Sequence, residues 1–466
     1  MGKTFRPYDM SQQLLMPPDL RDWLPEGHLA LFVSDVVDEL NLRPIVQSYE
    51  QEDLRGRPPY HPMMMVKLLI YGYCIGKVSS RKIEQATYDD VAFRVLACEQ
   101  HPDHDSIAEF RKRHLAELEK LFVEVLMLCE RVGLVKLGHV AVDGTKIRAN
   151  ASKYKTARYW ELREEEERLE AQVERLLTQA QQIDETEEKL FGKDKRGDEL
   201  PPELTKRQAR LAKIREAKQS LEREAKLKHD KVLKVYEEKM EQRRKAEAAG
   251  KKPRGSPPKE PDPKGGVPKE SAKTNDTDID SRLMKDNVTK SFQQSYNAQV
   301  AVDSNAHVIV AAMVVQAPVD QEQLVPVLNE VERLCGRKPE VASADAGYFS
   351  KAAVTNESLR GVDIYVRPNT REPESDPTIG LKRKPKATEQ MWSKLKSEQG
   401  SKIYRARSTI VEPVFGYIKH TRGFRYFSFR GLEKVRCEWS LICMTHNLLK
   451  LFRAMGARFQ PGDLRV

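Results

Sequence analysis

Cysteine is scarce, and its spacing excludes two uses at once. Six cysteines (positions 74, 98, 129, 335, 437 and 443) are spread over 466 residues with no CxxC pair. That argues against a thiolate metal site and a disulfide framework, and the apolar surroundings predict reduced, buried thiols in a cytosolic protein. Long apolar runs are missing as well. The most apolar window, "MMMVKLLIYGYCIGKV" (Met63–Val78), is broken by Lys67 and falls short of the ~20 residues a spanning helix needs. It predicts a core helix and no membrane partner. The opening "MGKTFRPYDMSQQ" has no signal-peptide core.

Charge, by contrast, is plentiful. Charged residues make up 32% of the chain, with a net charge of +10 and a pI near 9.1. Residues 401–466 carry 13 Lys/Arg against 4 Asp/Glu, close to the whole excess, whereas residues 155–250 carry 24 against 23. The middle therefore reads as a solvated, nearly neutral face. The C-terminal region is a concentrated cationic surface, and its first candidate partner is nucleic acid.

Periodicity divides the chain. Residues 1–133 predict an all-α domain, with helical spacing in Leu29–Leu42, Met63–Gly76 and Leu115–Leu134. Two shorter helices lie between, with Ser79 or Ser80 and Ser106 as N-caps and Glu109 completing a capping box. Arg111, Lys112 and Arg113 on the second suggest either a DNA-reading helix-turn-helix or a bundle with a basic face. At 137–149 the period changes to strand alternation. Residues 155–248 return to helices with two apolar seams, Leu162, Leu169, Val173, Leu176 and Leu177, then Leu204, Leu211, Ile214 and Leu221, which predict an antiparallel hairpin. Residues 249–271 are rich in Pro, Gly and Lys, a flexible linker. Strands and helices resume from 272 to 466. "YNAQVAVDSNAHVIVAAMVV" is a hairpin turning at Asp303–Asn305, and with 134–154 these residues form one α/β layer domain.

Three acids stand out. "HVAVDGTKIRANAS" and "PEVASADAGYFS" each run through small apolar residues to a carboxylate, Asp143 and Asp345, with a glycine soon after. Two strand-end carboxylates on neighbouring strands would repel unless a cation lay between them, and an oxygen-only donor set suits Mg²⁺ or Mn²⁺. Glu412, in "YRARSTIVEPVFGYIKHTRGFRYFSFRG", is the third, two helical turns before Lys419 and among Arg405, Arg407, Arg422, Arg425 and Arg430. Pro413 implies a helix that starts or bends at Glu412. Asp303 competes for the second place, but its Ser-Asn neighbours favour a turn. Asp276, Asp278 and Asp280 read as caps or ion-pair partners.

These blocks resemble those of bacterial insertion-sequence DDE transposases over nearly the whole chain. "VAVDGTKIRANAS", "YNAQVAVD", "ADAGYFS" and the block from Val411 to Leu451 carry the likeness, and Tyr404, Arg407, Glu412 and Lys419 match the family's Tyr, Arg, Glu and Lys. Four residues rather than three separate Arg407 from Glu412. The resemblance implies an RNase H-like catalytic domain, a mixed sheet flanked by helices, covering 134–154 and 272–466. A helical hairpin insertion would interrupt it. It further implies two Mg²⁺ ions on Asp143, Asp345 and Glu412. The DNA phosphates would lie on Tyr404, Arg407, Lys419, Arg422, Arg425 and Arg430, with Lys146, Arg148, Arg111, Lys112 and Arg113 as further contacts. The implied partners are terminal inverted repeats and target DNA, held by a homodimer in a synaptic complex at the bacterial nucleoid. A DNA-binding protein without catalysis, and a nuclease or resolvase without strand transfer, remain as alternatives.

Overall fold

Helices come first among the residues described by the computed structural model, which are 19–50, 58–191, 202–250, 255–286, 290–369 and 387–456. They are α1 (Leu29–Glu39), α2 (Arg43–Glu50), α3 (Pro62–Ile75), α4 (Ser80–Asp89), α5 (Val91–Leu96), α6 (His104–Arg113) and α7 (Leu115–Arg131). The stretch expected as one helix after Ser79 is two, because Asp90 adopts an extended conformation and its carboxylate caps the Ala92 N–H. The cap of α6 is Asp103 rather than Ser106: Asp103 accepts from both the N–H and the hydroxyl of Ser106.

The rest of the chain is mixed. Strand β1 (His139–Arg148) and the short β2 (Thr156–Arg158) lead into α8 (Tyr159–Phe191) and α9 (Pro202–Ala248). β3 (Lys273–Asn275), β4 (Arg282–Lys285), β5 (Phe292–Asp303), β6 (Ile309–Val315), α10 (Leu324–Cys335) and β7 (Val341–Ala344) follow. Then come α11 (Lys351–Val354), β8 (Asp363–Val366), α12 (Ala387–Lys396), α13 (Glu398–Gly416) and α14 (Leu432–Met455).

β1 lies at the centre of the main sheet. On one side β5 pairs with it antiparallel, and β5 in turn pairs antiparallel with β6 and β4. On the other side β7 and then β8 run parallel to it. Such a mixed sheet needs crossovers for its parallel half, and α10 and α11 lie in those connections. At the β5–β6 turn Asp303 is fully buried, accepting from the N–H groups of Lys136, Leu137 and Asn305. It is a turn acid.

Helix α14 ties the molecule together. Its residues are buried on nearly every side, between the N-terminal helices and the sheet. Asn447 satisfies both the N–H and the C=O of Ile309 at 2.8 Å, and Trp439 Nε1 donates to Gln299 O. One hydrophobic core consequently runs from Phe32 and Leu69 through Leu441 to Val142 and Val300. Each fully buried large apolar side chain contributes ~1.5–3 kcal/mol, so the N-terminal helices and the sheet stabilise each other.

A second, smaller core joins α8 and α9 through Tyr159, Leu162 and Leu169 against Leu211, Ile214 and Leu221. The two helices run in opposite directions, as the pairs Tyr159–Glu222, Glu166–Lys218 and Gln172–Arg207 show. The apolar seam fades by Leu177, which is exposed. Of the thiols, Cys74, Cys129, Cys437 and Cys443 are buried, whereas Cys98 is exposed at a left-handed turn after α5. Among the described residues no helix is long and apolar enough to cross a membrane.

Candidate active site at the sheet edge

Strand register builds the site. β7 pairs with β1 from His139↔Val341 to Val142↔Ala344, so the next residues, Asp143 and Asp345, emerge side by side where β7 stops. The expected end of β1 at Asp143 is corrected. Only the pairing with β7 ends there, and antiparallel pairing with β5 carries β1 on to Arg148. Asp345 instead opens a tight helical turn, its side chain accepting from Gly347 N at 2.8 Å.

Asp143 accepts from Gly144 N at 2.8 Å and lies 3.6 Å from a guanidinium nitrogen of Arg407. Burial pushes its carboxyl up to about 6. The Asp345 and Asp320 charges add to the rise, and the Gly144 N–H and Arg407 oppose it. Arg407 reaches the site from α13, which packs on β1 and β7, with the Tyr404 ring 5.9 Å from its guanidinium. Burial also raises the Tyr404 phenol. The Arg407 Nε is buried without a hydrogen-bond partner.

A third carboxylate at this edge, Asp320, was not singled out in the sequence. Its Oδ1 accepts from Asn297 Nδ2 and Gln299 Nε2, each at 2.7 Å, and Gln299 Oε1 accepts from the Tyr348 hydroxyl. The legible signal was "YNAQV", where two amides two residues apart share one face of an otherwise apolar strand. A buried amide requires partners, and Asp320 supplies them. Gly144 is small for this network: an added Cβ would collide with Gln299 Nε2 and lie 2.9 Å from Asp320 Oδ1 and 3.0 Å from Asn297 Oδ1. Gly144→Ala is therefore expected to lose ~1–3 kcal/mol of stability, the usual cost of overpacking. Gly138→Ala, whose Cβ would meet nothing within 4 Å, is the control. Equal melting of the two variants would refute the crowding.

Glu412 is not brought to the acid pair. It is exposed on α13, and Pro413 neither starts nor breaks that helix, which continues to Gly416 and then widens into a π turn at Tyr417–Thr421. Among the described residues no three His, Cys, Asp or Glu side chains come close enough to hold an ion.

The cations divide into two groups. Lys419 Nζ donates to Lys146 O, Lys146 Nζ to Lys285 O, Arg425 Nε to Lys419 O, and Arg430 Nε to Asn150 O. With exposed Arg148, they form a basic cluster around the second half of β1, where Lys146 and Arg148 project from the sheet face opposite to Asp143. Lys112 is exposed and paired with Glu109, and Arg113 is exposed over the Tyr49 ring. Arg422 and Arg111 are corrections. Arg422 is 4% exposed and donates to Tyr73 O, Ile442 O and Thr445 Oγ1, and burial lowers its pKa to about 10. Arg111 is buried too, donating to Val78 O at 2.8 Å and stacking on Phe429. Both tie helices together, so neither guanidinium is free to meet a phosphate. Asp276 pairs with Arg210, while Asp278 and Asp280 accept from Gly431 N and Leu432 N at the start of α14.

Residues 18–113 match a family of transposase domains (DUF772), and residues 370–452 match the transposase DDE domain. The chain thus carries transposase-type domains near both ends, the second of the DDE kind. The second match spans Tyr404, Arg407, Glu412, Lys419 and the basic loop that follows, and the first covers α1 to α6. A transposase DDE domain implies an RNase H-like fold, and the helix-flanked mixed sheet around β1 is of that kind. No curated protein and no solved structure matches the chain.

Proposed function

We propose that this chain cleaves DNA at the ends of an insertion sequence and joins those ends to target DNA, by metal-dependent phosphodiester hydrolysis and transesterification. The observation that carries the reading is the register that sets Asp143 beside Asp345, next to an Arg407 Nε with no partner. That donor is placed for an anionic oxygen of a ligand.

The donor set fits a hard divalent ion. It is all oxygen: Asp143, paired with Arg407, carries the charge of Asp345 and of Asp320 close by. Asp143 and Asp345 would hold Mg²⁺, or Mn²⁺, with Glu412 as third acid and two ions in all. When bound, the metal supplies charge neutralisation at the phosphodiester and a lowered pKa for the attacking hydroxyl. Arg407 orients Asp143 and contacts the phosphate, and Tyr404 supports Arg407. Lys419, Lys146, Arg148, Arg425 and Arg430 bind the backbone along β1, with Lys112 and Arg113 as outlying contacts. Glu412 lies within the segment matched as a DDE domain, and Pro413, which gives its helix no N–H at that point, favours a shift of this turn when DNA binds. The α8–α9 pair is an insertion between β1 and β3 of the catalytic domain, an arm for DNA or for a second subunit of a homodimer.

The test is incubation with Mg²⁺ and DNA carrying the repeats that flank the gene. Wild type is expected to give nicked ends and joined products, and Glu412→Gln to lose at least about a hundredfold in cleavage while binding the same DNA. Nicking without joining would reduce the function to a nuclease. Binding without nicking would leave a DNA-binding protein. Full activity in Glu412→Gln would move the third acid to Asp320.

A further inference from the structure

Two large aromatic side chains stand in solvent beside a groove that the acid site does not use. Tyr154 is 87% exposed and Phe292 53% exposed, and both line a groove of about 500 Å³ with Lys153, Thr156, Arg158 and Lys273. One acid, Glu161, lines it too, but its carboxylate is engaged by Arg158 N at 2.6 Å. We infer that this groove binds an unpaired stretch of DNA, stacking bases on Tyr154 and Phe292 and holding phosphates on Lys153, Arg158 and Lys273. The inference rests on the reading of the chain as a DNA-processing protein.

Chemistry selects the ligand. Exposed aromatic faces interleaved with cations are what a single strand requires, because every base has a π-face and every linkage a negative charge. In a duplex those faces are covered by neighbouring bases, so Tyr154 and Phe292 have nothing to stack on there. An acidic peptide would use the cations and leave the rings idle.

Placement agrees with the chemistry. Asp143 pairs with Val300 on β5, and Phe292 lies eight residues further along the same strand. At ~3.4 Å per residue that is roughly 27 Å along β5. Between the two points lie exposed Arg148 and Tyr426, whose backbones bridge β1 to the basic loop. A strand freed near the acids would have this distance to span before it reached the groove.

The test compares fluorescence anisotropy on a duplex, on the same duplex with an unpaired tail, and on a thymidine oligonucleotide. Cross-linking from 5-iodouracil in the tail is run alongside. Wild type is expected to favour the tailed DNA and to cross-link at Tyr154 or Phe292. Tyr154→Ala with Phe292→Ala should lose about tenfold on tailed and single-stranded DNA and nothing on duplex, with Tyr154→Phe retaining affinity. Both side chains are exposed, so the melting midpoint should hold and report folding. Equal affinities of wild type and the double variant for tailed DNA would overturn the inference, as would cross-links confined elsewhere. If wild type binds duplex without preferring the tail, only this inference fails. If it binds no DNA, the functional reading fails with it.

Discussion

Replacing Asp143 by asparagine is expected to cut metal-dependent cleavage by at least about a thousandfold and, in the same molecule, to raise the stability of the metal-free protein. The second effect follows from the site's electrostatics. Burial and two neighbouring carboxylates hold the folded Asp143 carboxyl near 6, against 3.8 for the free group. Between those values the folded state binds more protons than the unfolded chain, so stability falls as pH rises through this window, and the full penalty is present above it. About two units correspond to roughly 3 kcal/mol at ~1.4 kcal/mol per unit. Asparagine cannot ionise and is exempt. Melting of the two proteins in chelator should coincide near pH 4 and diverge by pH 7, with the variant higher. Magnesium should then raise the wild type and leave Asp143→Asn unmoved. A variant that melts below wild type at pH 7, or one that still responds to magnesium, would remove Asp143 from the ion site.

Arg422→Ala should be the most destabilising change among the basic residues of the C-terminal region, costing about 3–5 kcal/mol. The guanidinium is buried and meets carbonyls at the end of α3 and inside α14, where the negative end of α3 also favours a cation. Truncation leaves Tyr73 O, Ile442 O and Thr445 Oγ1 without that donor. Gly76 shows how close the approach is. It adopts φ +79°, and a Cβ there would collide with Arg422 O, so glycine alone fits. Arg425→Ala, exposed in the same loop, should leave the urea midpoint unchanged and lower DNA affinity with a shallower salt dependence. Similar unfolding midpoints for the two variants would show that Arg422 is not the tie described here. Loss of DNA affinity without loss of stability in Arg422→Ala would restore it to the phosphate contacts.

The contrast between these arginines marks where sequence reading stops. Arg422 and Arg425 lie three positions apart in one basic, aromatic-rich loop, and nothing local separates them. Whether a guanidinium faces solvent or a helix end depends on α3, which is more than 340 positions away in the chain. Asp103 displaced Ser106 as a cap for a milder reason, since both residue types serve and the backbone selects the one in extended conformation. Asp320 was missed because its partners, Asn297 and Gln299, only become a network once β5 lies against β1.

By itself, the sequence determined the local grammar of this protein. The helical and strand periods, the turn at Asp303, the two strand-borne acids followed by glycines and the cationic C-terminal stretch are all consequences of neighbours within a few residues. Tertiary structure decided what those pieces face. It set Asp143 next to Asp345 through one parallel register, brought Asp320 and Arg407 to the same edge, and left Glu412 exposed on α13. It also buried Arg422 and Arg111, and merged the N-terminal helices with the sheet through α14. The physical reason is range. Backbone propensity and capping act over one turn, whereas burial and the charge balance of a site are sums over groups that only the folded chain brings together.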